Sequence, residues 1–327
     1  MPLCAPHRPH DFVNTDTSFG LASYSVATEC TGWSNILNIC ALFHKNYNAM
    51  KYVLIIAIAT LFLSSCSDND GPVPDVYTQV SEITNGKSES KTILYDDYGR
   101  VIKFVATFPD ATISSTYSYI GEDLIKIHTE HIIPGYLNGD NAITQYDDEL
   151  HLENGRAVCC NGIYTTNQFD QGRIFQKKYR HDFTYTTSNH LNAVKHTEWY
   201  KNGDDWDYEK PLSWENYYIW EDDNLVTVED FNGSQTPTYV YKYSYSSVSG
   251  VQNVLPMHLE RYQYFPLQLK GCFGAGPENL IKSIEQNRQN ASNSEITYQY
   301  NIIDNKITDY TETKDGVSDK YYVTWIE

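Results

Sequence analysis

The sequence has little positive charge, little methionine and no long apolar run. It carries 24 Lys and Arg against 42 Asp and Glu over 327 residues, a net charge of −18. A chain this acidic has no basic face to offer to phosphates, which excludes nucleic acid as a partner. No stretch reaches the roughly 20 consecutive apolar residues that a membrane-spanning helix needs. Reaction signatures are missing as well. There is no G-x-S-x-G elbow, no H-E-x-x-H, no phosphate-cradling glycine loop and no EF-hand spacing, so no motif points to an enzyme. What the chain has in quantity is aromatic: 28 Tyr, 12 Phe and 6 Trp, 14% in all. That content excludes a disordered chain despite the acidity. The length suits one large domain or two ordinary ones.

The main apolar segment lies inside the chain. Met50-Lys51 precedes Tyr52-Val53-Leu54-Ile55-Ile56-Ala57-Ile58-Ala59-Thr60-Leu61-Phe62-Leu63. This is a short positive region followed by an apolar core of about a dozen residues, the make-up of a secretory signal peptide. It ends in Leu63-Ser64-Ser65-Cys66, which resembles the lipobox of bacterial lipoproteins. The resemblance implies cleavage before Cys66, a thioether-linked diacylglycerol on its sulfur and acylation of the new amine. Several acyl chains, at about 0.8 kcal/mol per buried methylene, anchor a protein stably where one chain would not. Ser67-Asp68-Asn69-Asp70-Gly71 follows and resembles the surface-export signal of certain Gram-negative lipoproteins, although any solvated tether would look alike. The expected division is residues 1–49 as an upstream extension from a mis-called start, 50–65 as signal peptide, 66–77 as lipidated Cys and tether, and 78–327 as one domain. The implied location is the outer membrane, lipid-anchored and facing outward.

Of 7 Cys in the sequence, Cys159, Cys160 and Cys272 fall in the expected domain. A disulfide from Cys159 or Cys160 to Cys272 would suit an oxidising compartment, and small buried hydrophobes would suit the same positions.

Within the domain one pattern recurs: two aromatics at period two, a polar turn, then a short aliphatic stretch. It runs as Tyr117-Ser118-Tyr119 before Leu124-Ile125-Lys126-Ile127, and as Phe183-Thr184-Tyr185 before Leu191 and Val194. It returns as Tyr218-Ile219-Trp220 before Leu225-Val226-Thr227-Val228, and as Tyr298-Gln299-Tyr300 before Ile307. Period-two aromatic and β-branched residues put one face of a strand on a core. Asn85-Gly86, Asn138-Gly139, Asn154-Gly155, Asn202-Gly203, Asn232-Gly233 and Asp315-Gly316 supply hairpin turns. The fold expected is all-β: an antiparallel meander of hairpins in one strongly curved sheet, closing toward a barrel. Residues 277–290 could open as a helix after Pro277, but Leu280-Ile281-Lys282-Ser283-Ile284 matches the second half of the repeat, which favours a strand.

Tyr95-Asp96-Asp97-Tyr98-Gly99-Arg100-Val101-Ile102 and Leu152-Glu153-Asn154-Gly155-Arg156-Ala157-Val158 resemble the tyrosine-aspartate repeats of Rhs-type proteins. The chain also resembles uncharacterised lipoprotein families with a porin-like β-fold, which share the lipobox, the acidic tether and such hairpins. Those families imply a shape and no activity. Most strands carry Lys, Glu or His on their second face, so the sheet reads as standing in water rather than in lipid.

Candidate chemistry is sparse. His128 and His131 fall on opposite faces of a continuous strand, which weakens a shared metal site. Asp204, Asp205 and Asp207 are candidate Ca²⁺ ligands, and equally ordinary turn residues. The segment 199–220 is the most unusual. Its Trp199, Trp206, Tyr208 and Trp214, set among carboxylates, would suit stacking on the C–H faces of sugars, or would simply build a core. The reading that follows is a cell-envelope lipoprotein that binds a ligand without catalysis, with extracellular glycan as the first choice. The alternatives are a structural protein docking another envelope component, and a glycan hydrolase whose carboxylate pair is not visible in sequence.

Overall fold

The computed structural model describes residues 79–326, apart from 138–139, 168–173, 203–204, 256, 260 and 290–291. The signal segment, Cys66 and the tether lie outside the described residues. So do Asp204 and the Gly of two expected turns, Gly139 and Gly203.

The strands are β1 (Gln79–Thr84), β2 (Ser90–Tyr95), β3 (Val101–Thr107), β4 (Thr112–Ile120), β5 (Leu124–Leu137) and β6 (Asp140–Glu153). They continue through β7 (Arg156–Thr166), β8 (Phe175–Tyr185), β9 (Leu191–Asn202), the two-residue β10 (Asp205–Trp206), β11 (Leu212–Glu221) and β12 (Asn224–Asp230). The last are β13 (Tyr239–Ser249), β14 (Asn279–Arg288), β15 (Ser294–Ile303), β16 (Lys306–Lys314) and β17 (Val317–Ile326). Successive strands pair antiparallel, with β11 beside β9 and β10 a short addition to the end of β9. Pairing of β1 with β17 closes the ring, giving a 16-stranded antiparallel barrel. Closure leaves no sheet edge to aggregate. The segment after Pro277 is strand β14, as the repeat indicated.

Several turns have the backbone that the sequence suggested. Asn154 and Gly155 have φ of 52° and 75°, and Asp315 and Gly316 have 51° and 78°, the paired positive angles of a type I′ hairpin.

The aromatic repeat has a structural cause. In each of β3, β7, β9, β12, β14 and β16 the pairing with the preceding strand slips by one residue near the strand's start, a β-bulge that frees the carbonyl of an early residue from the ladder. An aromatic donor from the following strand fills the gap. Tyr185 donates to the Ala157 carbonyl at 2.7 Å, Trp220 Nε1 to Leu191 at 2.8 Å, and Tyr245 to Leu225 at 2.7 Å. Tyr300 donates to Ile281 at 2.5 Å and Trp325 Nε1 to Ile307 at 2.7 Å. The second aromatic of each pair must therefore carry a polar tip, while the first faces inward to the core. Tyr300→Phe keeps the ring and orphans a buried carbonyl. It is expected to lower unfolding stability by about 1–3 kcal/mol in urea titration, against almost nothing for the exposed Tyr98→Phe.

A ring of 16 strands encloses more space than its own side chains fill. The connection between β13 and β14, residues 250–278, enters the lumen and occupies it. It holds a 3₁₀ turn (Tyr262–Tyr264) that runs into a short helix, α1 (Phe265–Leu269), started by Pro266 in its first turn. Barrel aromatics hold this plug. Tyr117 donates to the Gln263 carbonyl at 2.7 Å, Tyr218 to the His258 carbonyl at 2.9 Å, and Phe104 packs on Phe265 with centroids 5.7 Å apart. Tyr264, Phe265, Leu267 and Phe273 of the plug are buried in one core with Ile93, Phe104, Leu150, Phe183 and Leu225 of the wall.

The outer wall is polar along the middle of β4 to β6. The outward row of β4 is Thr112, Ser114, Thr116 and Ser118. Lys126 of β5 pairs with Glu149 of β6 at 2.9 Å, and His128 Nδ1 with Asp147 at 2.6 Å, both in the middle of long strands. A strand facing lipid presents an apolar row instead. His131 lies on the opposite face from His128, as strand parity required.

Candidate functional site

Strand parity decides where the candidate residues go. On β9, Val194, His196, Glu198 and Tyr200 face the lumen, which sends Trp199 outward. Trp206, on β10, lies on the outer side between two ammonium groups, Lys178 Nζ at 4.9 Å and Lys201 Nζ at 5.4 Å from its ring centroid. Tyr208 accepts a hydrogen bond from Lys178 at 2.8 Å, and its ring stands 6.1 Å from that of Trp199. Trp214 of β11 faces inward. The four aromatics thus form two sites on opposite sides of the wall: an exterior patch of Trp199, Trp206 and Tyr208, and a lumenal site that Trp214 helps to line.

The lumenal site is a cavity of about 460 Å³. Tyr146, Tyr164, Phe175, Tyr200 and Trp214 make its aromatic wall. Phe175 and Leu212 open their strands and Asn232 sits in the β12–β13 turn, so the cavity lies at the barrel end opposite the plug's entry. The rings brace one another: Tyr146 meets Tyr164 at 5.3 Å, Tyr164 meets Phe175 at 6.1 Å and Phe175 meets Tyr200 at 6.0 Å. His196 stacks behind Trp214, at 5.0 Å and within 9° of parallel. Burial, then the nearby Arg261 cation, push the His196 imidazole down to about 4.

The polar groups of the cavity are Lys177, Glu198 and Arg261. Lys177 Nζ binds Glu198 Oε1 at 2.5 Å and lies 5.1 Å over the Tyr164 ring. Glu198 accepts a second bond from the Tyr200 hydroxyl at 2.7 Å, so its charge is matched twice. Arg261 arrives from the plug. Its guanidinium carbon lies 4.5 Å from the Tyr146 ring centroid and 4.2 Å from that of Tyr179. Below it Asp148, 2% exposed, accepts from the Tyr179 hydroxyl and from Gln263 Nε2 at 3.0 Å. Burial raises the Asp148 carboxyl above the usual carboxylate range, against the pull of Arg261.

A second cavity of about 300 Å³ lies against the other side of the plug, lined by Phe104, Tyr243, Met257 and Phe265. Arg261 borders both. Lys91 also lines it, and burial holds its amine below the usual lysine range.

The remaining candidates do not join either site. Asp205 is exposed on β10, and Asp207 accepts a turn hydrogen bond from the Glu209 amide at 3.2 Å. Asp204, the third member of that triad, lies outside the described residues. Among the described residues no group of three or more His, Cys, Asp or Glu side chains could hold a metal ion. Cys160 and Cys272 are both free thiols, so the disulfide considered between Cys159 or Cys160 and Cys272 is not formed. Cys160 points inward from β7 into the core, where burial raises its thiol well above the ordinary value.

No protein-family description and no curated protein matches this sequence. Solved structures do. The chain is similar in fold to porin-like proteins. One, from Bacteroides uniformis, is 13% identical with a TM-score of 0.44. Another, from Bacteroides vulgatus, is 12% identical with a TM-score of 0.49. Each alignment covers 76% of this chain and 98% of the other. The likeness is one of fold alone.

Sequence reasoning found Trp214 and missed its partners. Tyr146, Tyr164, Phe175, Lys177, Glu198 and Tyr200 come from four successive strands whose pairing register sets them side by side. Arg261 carried one legible signal. It lies in the longest connection between strands, 250–278, whose Met257, Phe265, Leu267 and Phe273 are too apolar for an exposed loop.

Proposed function

We propose that this protein is a non-catalytic binding barrel of the cell envelope, anchored through lipidated Cys66 and holding a glycan in the lumenal cavity beside Trp214. The observation that carries the reading is the cavity. It combines five aromatic rings with a few fixed polar groups in a volume typical of ligand pockets. Flat rings stack on the apolar faces of sugars, and the polar groups orient the hydroxyls. The polar outer face of β4 to β6 supports a barrel that stands in water at the outer membrane and relies on its lipid for attachment.

The test is a glycan array probed with the purified mature protein. Binding to at least one oligosaccharide is expected, weakened by about tenfold or more in Trp214→Ala and little changed in Trp206→Ala. Equal loss in both variants, or no binding at all, would count against the lumen.

The exterior patch supports a second reading, in which the barrel docks another envelope protein. Trp206 is held between Lys178 and Lys201 on the wall of an otherwise acidic protein. Amine-directed cross-linking in intact cells would then recover one dominant partner, joined at those two lysines.

A further inference from the structure

Resting on the lumenal reading above, we infer that the cavity selects acidic saccharides, with the ligand's carboxylate seated against Arg261.

Arg261 carries five N–H donors in a planar fork. Two tyrosine rings hold its faces, Tyr146 and Tyr179. The Tyr146 hydroxyl is its hydrogen-bond neighbour. Among the described residues no carboxylate lies within ion-pair distance of it. The nearby Asp148 is already bonded to Tyr179 and Gln263. Ring faces fix the orientation of a guanidinium, and among the described residues no side-chain hydrogen bond beyond that to Tyr146 occupies its N–H edge.

The one lining carboxylate, Glu198, is taken by Lys177 and Tyr200. The cavity therefore presents two cations, Lys177 and Arg261, against one matched anion. The group that completes this set is a planar acceptor with one negative charge. A carboxylate meets a guanidinium through two parallel bonds. The surrounding rings ask that the carboxylate ride on a body with flat apolar faces, which a uronate or sialate unit has.

The cavity also contrasts with the protein around it. A net charge of −18 repels acidic polymers at long range. Recognition of one by this chain needs a local, enclosed cation, and Arg261 is brought there by the plug.

The experiment is calorimetry of the mature protein with matched pairs of oligosaccharides ending in galacturonate, glucuronate or sialate, each as the free acid and as its methyl ester. At least one acid is expected to bind about tenfold or more tighter than its ester, with an affinity that falls as salt rises. Arg261→Gln should erase the difference between acid and ester. Arg261→Lys should keep part of it. Trp214→Ala removes a lining ring and leaves Arg261 in place, and should weaken the acid and the ester alike. Esters binding as tightly as acids would overturn the inference and leave the lumenal glycan reading standing. Absence of binding by every acid and every ester would overturn both. An acid preference that survives Arg261→Gln in a folded variant would move the anion to another site and overturn the assignment.

Discussion

Gly162→Ala is expected to lower the melting temperature by about 6–12 °C, the largest effect foreseen for a change of one methyl group. Gly162 on β7 pairs with Asp148 of β6 on one side and Tyr179 of β8 on the other. Because it has no side chain, the Asp148 carboxylate and the Tyr179 ring meet directly over it. A Cβ there would overlap the Tyr179 ring and hydroxyl and the Asp148 carboxylate. Neither neighbour can give way. Tyr179 is 1% exposed, stacked on His181 at 5.0 Å and covered by Arg261. Asp148 is tied to Gln263 of the plug. Forcing a methyl into a packed core costs about 1–3 kcal/mol, and breaking a buried hydrogen bond costs a similar amount. About 3 kcal/mol, at 2–4 °C each for a domain of this size, gives the expected shift. Because the same contact seats Arg261, ligand affinity should fall with stability. Thermal unfolding of the variant alongside Gly276→Ala, where a Cβ meets open space and the backbone needs no positive φ, would check the account. An unchanged midpoint for Gly162→Ala would mean that Asp148 and Tyr179 do not cross at this position.

The same residues show what could be read in advance. Alternation on a strand is local, so the pairs at 117 and 119, 183 and 185, 218 and 220, and 298 and 300 marked inward faces from sequence alone. Their polar tips had a reason that sequence could not display, because each donor serves a bulge carbonyl on a different strand. Turns with glycine, such as Asn154-Gly155, were legible. Asp222-Asp223 and Asp304-Asn305 adopt the same positive φ angles without glycine and were not. The curved sheet was legible too, while its closure depends on β1 meeting β17, a pairing of the two ends of the domain that no local pattern encodes. The platform failed for a related reason. Four aromatics close in sequence were grouped together, but one step in parity sends Trp199 out while its neighbours Glu198 and Tyr200 face in, and the wall separates it from Trp214. Arg261 belongs to neither pattern, since it reaches the site on an insertion that crosses the lumen.

Acidification is expected to remove about 3 kcal/mol of stability through His196 alone. The ring is 3% exposed, flat against Trp214, and edge-on to His181 at 4.6 Å. Burial is the main reason that its pKa falls from 6.5 to about 4. Of the charges around it, Arg261 and Lys177 push further down, while Asp230 and Glu198 pull back. The folded state therefore holds His196 neutral where the unfolded chain would protonate it. Its contribution is fully present above pH 6.5 and is lost as pH falls toward 4, at about 1.4 kcal/mol per pH unit. His181, whose pKa burial also lowers, acts in the same direction. Asp148 and Glu312 act in the opposite one, because burial raises their carboxyls and the fold then gains protons as pH falls. The clean measurement is thus a difference. Urea unfolding of wild type and His196→Phe at pH 6.5 and pH 4 should show the variant losing about 3 kcal/mol less, since phenylalanine keeps the stack and cannot take a proton. Equal losses in the two proteins would mean that the folded state already accommodates a charged His196. A carboxylate bound against Arg261 would offset the repulsion that this cation exerts on the imidazole, raise its folded pKa and flatten the acid limb. Acidic ligands should therefore protect the protein more at pH 4 than their neutral esters do, which joins the stability of the barrel to the chemistry of its cavity.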